Sequence, residues 1–437
     1  MKNKKIIIIL IICLLALSGA IYYITSKYKP ATSNNTTSLI TKSDIENIDW
    51  STYDNEEITL TKSAEITKEG VYNLTGTIAD GYIHINTDGN VKLVLNNVSV
   101  TNSTGPAIYV ENAKSVEIST VKGTTNTLTD GIDYKDYEEG VNGCIYSKDD
   151  LILSGEGILK INGNYEDGIV SKDDLKITSG SYTINAKNDG IKGKDSIEIE
   201  NGTFTINVVG DAITSTNDTD EGKGYILIND GTFTIKTTGN PSTSSAKGLK
   251  AVSQLEIVNG TFSIDTTDDG IHSDGNIKIA GGTFNITTKE DGIHADGMIE
   301  INKGTFNITG AEGLEATYVK INDGNINISA SDDGINAGKK STSYPVTIEI
   351  NGGNITIKMG SGDTDGIDSN GNLYINGGKI DITGNSPFDY DGKAEYNGGT
   401  IIVNGQTTNN ITNQMMGGGR EGMMQDGNMP QNGRRMH

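Results

Sequence analysis

The feature that most constrains this chain is a repeat of about 22 residues that runs through most of its length. Each unit contains two short stretches of alternating apolar and polar residues, separated by a turn with Gly, as in IEIENGTFTI (197–206) and LEIVNGTFSI (255–264). Alternation with a period of two indicates strands, and a fixed repeat of this length indicates a solenoid. The sequence therefore predicts an all-β fold, a parallel β-helix with three short strands per coil.

The repeat aligns equivalent residues of successive coils into columns along the solenoid axis. Neighbouring coils lie at the strand spacing of about 4.8 Å, and Gly at the corners tolerates the positive φ that such turns need. Five of the six phenylalanines fall at one position, in phase with inward-facing Ile. We expect a buried aromatic stack rather than a sugar-binding platform. Its members are Phe204, Phe233, Phe262, Phe284 and Phe306.

A second column is acidic, because an Asp or Glu precedes the Gly-Ile step of most repeats and a second acid often comes before it. Stacked carboxylates repel one another, and a calcium ion holds opposite oxygens about 4.8 Å apart, the same distance as the coil spacing. The alternative is that each Asp only caps a turn, which is favoured for Asp189 and Asp211 alone. The predicted Ca²⁺ ligands are Asp268, Asp269, Glu290, Asp291, Glu312, Glu315, Asp332, Asp333, Asp363, Asp365 and Asp368.

Basic side chains occupy the position that follows the Gly-Ile step. His272 and His294 lie one repeat apart there, and Lys192 and Lys250 fall at the equivalent position. Alternation directs all four outward, where the histidines are candidates for a transition-metal site, a sugar groove or ordinary solvated residues. We take Lys250, His272 and His294 as candidate carbohydrate-binding residues. No catalytic residue is assigned, although Lys250 or Lys192 beside calcium-bound carboxylates would suit a lyase that removes the proton α to a uronate carboxylate.

An insertion, DYKDYEEGVNGCIYS, interrupts the repeat in the N-terminal part. Tyr134 and Tyr137 in this insertion are candidates for stacking against sugar rings, and the alternative is that the loop packs on its own coil. Cys144 lies where later coils have Gly, so we expect a small buried residue rather than a nucleophile.

The charge and the two ends of the chain restrict its location and partners. With 57 acidic and 35 basic residues, the formal charge is −22, which opposes nucleic-acid binding and favours divalent cations. Residues 1–29 predict a signal peptide or membrane anchor, 30–57 a linker, 58–408 the β-helix and 409–437 a disordered Met- and Gly-rich tail. We expect a monomer outside the cell or on its surface, with membrane contact through the N-terminal segment only.

Several stretches, including IYSKDDLIL, NGNYEDGIVSKDDLKI and NDGIKGKDSIEI, resemble the carbohydrate-binding domain family of bacterial surface proteins. The resemblance covers roughly residues 58–405. It implies a right-handed parallel β-helix that binds calcium and plant-type polysaccharides, with a fold similar to that of calcium-dependent pectate lyases. Those lyases pair a D-D-x-x-D cluster with a lysine base. Here the nearest matches, Asp332-Asp333 before Asn336 and Asp365 with Asp368, are incomplete, which argues against catalysis more than against metal binding.

Together these features predict a cell-surface, calcium-stabilised protein that binds plant-type or acidic polysaccharide, either cellulose-like or polyuronate. Two alternatives stay open at this point. One is a calcium-dependent polysaccharide lyase that acts by β-elimination, and the other is a structural stalk or adhesin.

Overall fold

The structure is a computed structural model that describes residues 38, 40–43, 45, 47–361 and 364–413. These residues contain 40 strands and one short 3-10 helix, Trp50–Thr52. Most strands pair in parallel with the strand three positions later in the chain, and the coils that contain the longer strands pair with the strand two positions later. The chain therefore winds into stacked coils with three strands each, which confirms the predicted parallel β-helix.

The strands form three long faces, named A, B and C in this article. Face A consists of Thr125–Thr129, Ile158–Gly163, Ser181–Ala186, Thr203–Val208, Thr232–Thr237, Thr261–Asp265, Thr283–Thr287, Thr305–Gly310, Asn325–Ala330, Asn354–Met359, Lys379–Thr383 and Thr400–Val403. Face B consists of Ala64–Ile66, Ile83–Asn86, Ile108–Asn112, Gly143–Ser147, Asp167–Ser171, Ile191–Gly193, Ile213–Ser215, Leu249–Ala251, Ile271–Ser273, Ile335–Ala337, Asp365–Ser369 and Ser386–Tyr390.

Face C completes each coil before the chain returns to face A. It consists of Asn55–Leu60, Ser115–Thr120, Asp150–Gly155, Asp174–Ile177, Ser196–Ile199, Tyr225–Ile228, Gln254–Ile257, Asn276–Ile279, Thr347–Ile350, Asn372–Ile375 and Ala394–Tyr396. Four longer strands turn a corner: Gly70–Ile78 and Asn90–Thr101 run from C to A, and Ile293–Ile301 and Leu314–Ile321 run from B to C. The last strand, Gln406–Thr408, pairs antiparallel with Thr400–Val403.

The interior of the coils is a continuous apolar core. The five phenylalanine rings of face A are fully buried and lie in one row. Neighbouring ring centroids in this row are 4.7 Å apart, and their planes are within 3° of parallel. The predicted aromatic stack is thus confirmed, and Cys144 is also fully buried as expected.

The corner between faces C and A is tight and depends on glycine. At Gly202, φ is +151°, and a Cβ would lie 2.8 Å from the ring of Phe204. A side chain there would meet both backbone strain and a collision with the aromatic stack. Positive φ recurs at Gly180, Gly202, Gly231, Gly260, Gly282, Gly304, Gly324, Gly353, Gly378 and Gly399, which confirms the predicted turn glycines.

The other two corners carry the long insertions. Residues 130–142 and 238–248 connect face A to face B, and residues 216–224 and 338–346 connect face B to face C. Both of these corners border face B. Face B is therefore the face that the inserted loops can reach from either side.

Ile40, Ser43 and Trp50, which precede the first strand, contact face C. Ile40 is buried in a small apolar cluster on this face. The amide of Ser43 donates to Glu198 Oε1 at 2.7 Å, and the Trp50 indole donates to Glu117 Oε2 at 2.5 Å. This part of the predicted linker therefore packs along the solenoid.

Other predictions for the ends of the chain lie outside the described residues. These are the signal peptide or anchor at 1–29 and the tail from residue 414 onward. In the described part of the chain, no helix has the length and apolar character needed to cross a membrane.

Candidate functional site on face B

One outward-facing position of face B forms a continuous column, called the outward column below. Strand register aligns Lys192 with Thr214 and then with Lys250, His272 and His294, which confirms the predicted alignment of the basic residues. The column is aromatic in the N-terminal coils, basic in the middle and acidic in the C-terminal coils. Its members are Glu65, His84, Tyr109, Tyr146, Val170, Lys192, Thr214, Lys250, His272, His294, Glu315, Asn336, Asp368 and Asp389.

The acidic positions before the Gly-Ile steps form a second column, the corner column. Here one carboxylate oxygen caps the next coil: Asp167 Oδ1 accepts from the amide of Asp189, and Asp189 Oδ1 accepts from the amide of Asp211, both at 2.9 Å. The second oxygen stays available for a cation, so turn capping and charge neutralisation operate together. The corner column consists of Asp167, Asp189, Asp211, Lys247, Asp269, Asp291, Glu312, Asp333 and Asp365.

In the middle coils, lysines of the chain supply the positive charge. Lys192 Nζ lies 2.7 Å from Asp189 Oδ2 and 3.3 Å from Asp167 Oδ2, and Lys250 Nζ lies 3.7 Å from Asp211 Oδ2. Burial lowers the pKa of Lys192, but the two carboxylates outweigh burial and hold the pKa above its ordinary value. Lys192 therefore stays protonated and is poorly suited to act as a base.

Lys247 stands in the corner column where other coils have an acid. Its Nζ lies 2.6 Å from Asp268 Oδ1 and 2.8 Å from Asp269 Oδ2, and His272 Nδ1 is also 2.8 Å from Asp269 Oδ2. Burial raises the pKa of Asp269, but His272 and Lys247 hold it well below its usual range. At these two predicted calcium ligands, the protein already provides the counter-ions.

One coil further on, His294 lies between Asp291 and Glu315. Lys340, from the insertion 338–346, forms an ion pair with Glu315. Glu290 is exposed and borders a shallow, open cavity of about 450 Å³ that His294 also lines. This part of face B combines imidazole and carboxylate groups.

The C-terminal coils differ because their acids lack such partners. In the described part of the chain, Glu312, Asp333 and Asp368 form no ion pair with a lysine or histidine. Burial, followed by nearby carboxylates, raises the pKa of Glu312 to about 9, of Asp333 to about 6 and of Asp368 to about 7. This end of face B is therefore short of positive charge.

Unpaired polar atoms mark the same region. Among the described residues, none is a hydrogen-bond partner for the buried atoms Glu312 Oε2, Asn336 Oδ1 and Asp389 Oδ1. Such atoms are rare in folded proteins and point to a missing water or ion. Of the other predicted ligands here, Asp365 accepts a hydrogen bond from the Ser386 hydroxyl, Asp332 is exposed, and Asp363 lies outside the described residues.

At the N-terminal end, face B carries an aromatic cleft of about 480 Å³. His84 and Tyr109 stack with ring centroids 5.4 Å apart and planes 8° from parallel, and Tyr137 meets Tyr109 edge-on at 5.4 Å. Tyr82 closes one side. The other residues that line the cleft are polar or charged: Thr104, Glu111, Lys135, Asp136 and Glu138.

The insertion 130–142 positions one predicted tyrosine in this cleft and uses the other as an anchor. Tyr137 lines the cleft. The Tyr134 hydroxyl instead donates to Asp130 Oδ2 at 2.7 Å, and its ring stacks on Tyr165 at 4.4 Å. Tyr134 therefore fixes the loop, in accordance with the alternative that the loop packs on its own coil.

Sequence reasoning missed three residues of this cleft, Tyr82, His84 and Tyr109. The signal was present, since His84 and Tyr109 occupy outward positions in the alternating stretches IHIN and IYVEN. Their alignment in one column was hidden by the unequal lengths of the N-terminal coils. The cleft is separated by several coils from Lys250, His272 and His294, so the predicted carbohydrate-binding residues do not form one site.

Comparison with known proteins identifies the family of this chain. A curated carbohydrate-binding domain-containing protein from Acetivibrio thermocellus is 38% identical over 130 residues, which are 29% of this chain and 46% of the relative, so the match spans about half of that protein. A solved structure, the gadolinium derivative of a polysaccharide lyase-like protein from C. thermocellum, is 30% identical, and the match covers 59% of this chain and 91% of that one with a TM-score of 0.41. The model of one family, described as carbohydrate-binding domain-containing protein, matches residues 61–241, 236–292 and 287–414. Since these matches cover nearly the whole solenoid, the chain belongs to the carbohydrate-binding domain-containing protein family.

Proposed function

We propose that this chain is a calcium-stabilised protein of the cell surface that binds plant-type or acidic polysaccharide. The observation that carries the proposal is the aromatic cleft on face B. Tyr137 and the accessible part of Tyr109, one face of which is covered by His84, supply apolar surface, and the carboxylates of Glu111 and Glu138 accept hydrogen bonds from hydroxyl groups. A concave site that combines aromatic rings with several polar and charged groups suits a sugar ring, which has apolar faces and many hydroxyl groups.

The acidic end of the same face has the donor chemistry that calcium prefers. Glu312, Asp333 and Asp368 offer oxygen ligands without competing lysines, and Asn336 and Asp389 contribute buried oxygens that lack partners. Hard cations such as Ca²⁺ prefer six to eight oxygen ligands of this kind. A bound ion would lower the repulsion between these carboxylates, and the chain would hold it through groups from several successive coils.

The acidic end also supports the choice of an acidic glycan. An ion held by carboxylates of successive coils keeps coordination positions for water or for the ligand, since protein groups alone rarely supply all of them. A uronate carboxylate in such a position would be attached to face B through the ion. Neutral sugar rings would then depend on the cleft, and charged ones on both regions.

The lyase alternative receives less support from the geometry. A base must be able to accept a proton near neutral pH, and Lys192 is held protonated by two carboxylates. Lys250 remains the better candidate of the two. A structural stalk is the third possibility, and it predicts no affinity for any glycan.

Binding of the purified chain to insoluble cellulose and to pectin, with calcium or with chelator, tests the proposal. We expect Tyr109→Ala to reduce retention on both materials, while Tyr374→Ala, which removes a tyrosine from face C, leaves it unchanged. Thermal melts check that both variants fold. Retention by the wild type on neither material would refute binding and favour the stalk.

Two further arms separate the remaining possibilities. Incubation with polygalacturonate and calcium should yield no ultraviolet-absorbing unsaturated product, whereas accumulation of that product would identify a lyase. Equal retention on pectin with and without chelator would refute the calcium-bridged part of the proposal. Protease treatment of intact cells should remove the protein if it is displayed on the cell surface.

A further inference from the structure

The two histidines in the middle of face B are built into a cluster that the polysaccharide-binding function does not use. The rings of His272 and His294 stack with centroids 4.9 Å apart. Each side chain is only 13% exposed, although both occupy the outward column. Neighbouring acids and loops therefore enclose the pair.

The donor atoms around His294 converge on one point. His294 Nδ1 lies 2.8 Å from Asp291 Oδ2 and 2.9 Å from Glu315 Oε2. Ligand atoms of these three residues are all within 4.8 Å of one another. A second set, Asp269 with His272 and His294, meets the same criterion and shares His294 with the first. Because His294 is common to both sets, the arrangement suits one ion rather than two.

Further charged residues contact the remaining polar atoms of these side chains. His272 Nε2 lies 2.8 Å from Asp274 Oδ1, and Lys340 pairs with the second carboxylate oxygen of Glu315. His294 Nε2 lies 3.5 Å from Asp296 Oδ1. Metal-binding histidines commonly have a carboxylate on the second ring nitrogen, which fixes the ring and leaves the first nitrogen as a ligand.

The donor set differs in kind from the acidic end of face B. Imidazole nitrogen with carboxylate oxygen suits zinc and neighbouring transition metals, whereas oxygen-only sites suit calcium. A tetrahedral zinc ion with bonds of about 2.0–2.1 Å separates its ligand atoms by about 3.3 Å. The present separations of 2.8 and 2.9 Å need to widen by only a few tenths of an ångström.

We propose that Asp291, His294 and Glu315 bind a divalent transition-metal ion of the zinc type, with Asp269 and His272 in support from the preceding coil. Three protein ligands leave a fourth position, which faces the open cavity of about 450 Å³ lined by Lys247 and Glu290. That position takes water or an anionic group of a bound ligand. The site links neighbouring coils and borders the calcium region, since Asn336 Nδ2 donates to both Glu312 Oε1 and Glu315 Oε1.

Titration of the full, chelator-stripped chain with Zn²⁺ in calorimetry, in the presence of saturating calcium, tests this proposal. We expect one equivalent of zinc to bind, and His294→Ala or Glu315→Gln to weaken binding at least about 100-fold. Asp274→Asn, which alters only the carboxylate that contacts His272 Nε2, should weaken zinc binding about 10-fold.

His84→Ala is the matched control. His84 also lies on face B between two acids, but Glu65 and Glu111 contact opposite ring nitrogens at 2.6 and 3.0 Å, so their oxygens do not converge. Its removal should leave zinc binding unchanged. Equal zinc affinity of wild type and His294→Ala, or displacement of zinc by calcium, would overturn the proposal.

A spectroscopic measurement on the wild type covers the case in which a variant fails to fold. Addition of Co²⁺ should produce visible absorption bands typical of tetrahedral nitrogen and oxygen ligation, which saturate at one equivalent and disappear on addition of zinc. A cobalt spectrum identical to that of the aqueous ion would refute the site.

Discussion

Replacement of Glu312 by Gln separates the destabilisation caused by burial of this carboxylate from its proposed role as a calcium ligand. Burial, together with Glu315 and Asp291, raises the pKa of Glu312 from an ordinary 4.5 to about 9. The folded protein thus favours the neutral form, and the stability this group contributes is present below pH 4.5 and lost as pH rises toward 9. At pH 7 this shift lowers the free energy of unfolding by about 3 kcal/mol relative to its value at low pH. Glutamine is neutral at every pH and avoids it.

The expected difference in melting temperature depends on calcium. In chelator at pH 7 to 8, Glu312→Gln should melt a few degrees above the wild type, and the fall of melting temperature with rising pH should be shallower. With calcium at about 100 times its Kd, the wild type gains about 2.7 kcal/mol, while the variant has lost a ligand and gains less. The difference between the two melting temperatures should therefore shrink or reverse.

Differential scanning calorimetry over a pH series, with chelator and with calcium, measures this directly. Glu221→Gln, at an exposed position in the insertion 216–224, is the matched control and should melt like the wild type in every condition. The reasoning fails if Glu312→Gln melts at or below the wild type in chelator, or if calcium stabilises both proteins equally.

Three further results follow from the described contacts. Phe262→Ala should lower the free energy of unfolding by about 3–5 kcal/mol in chemical denaturation, since its ring is fully buried between two others, while the exposed Thr261→Ala should have little effect. Lys247→Met should leave Asp268 and Asp269 without their lysine and therefore lower the melting temperature in chelator. Calcium should restore most of the lost melting temperature. If it restores none, this pair of carboxylates cannot hold an ion. Gly105→Ala should weaken polysaccharide retention with little change in melting temperature, because its Cβ would lie 2.2 Å from the Tyr137 ring and displace it; unchanged retention would exclude Tyr137 from binding.

The regular coils were predictable from sequence because their length barely varies. Period-two alternation and the turn glycines predicted where the strands lie. The same alternation predicted that the phenylalanines point inward. The alignment of His272 with His294 was equally accessible, since a single uninterrupted coil separates them. In these coils, the place of a residue within the repeat determines its position in three dimensions.

Features that depend on inserted or terminal segments were not predictable. Lys247 and Lys340 come from loops that no period describes, and their side chains decide which acids already have counter-ions. The position of Ser43 against Glu198 results from long-range packing of a polar segment without any repeat. The acidic positions of successive repeats looked alike in sequence because the lysines that neutralise some of them are distant in the chain.

The tight glycine corner between faces C and A fixes where each coil begins around the solenoid axis. Each coil returns to the same angular position there, whatever the length of the loops at the two corners beside face B. A loop can therefore be lengthened, shortened or exchanged without a change in the register of any neighbouring coil. Variation of face B is thereby separated from maintenance of the core, so loops beside the proposed binding face can be exchanged while the scaffold is unchanged.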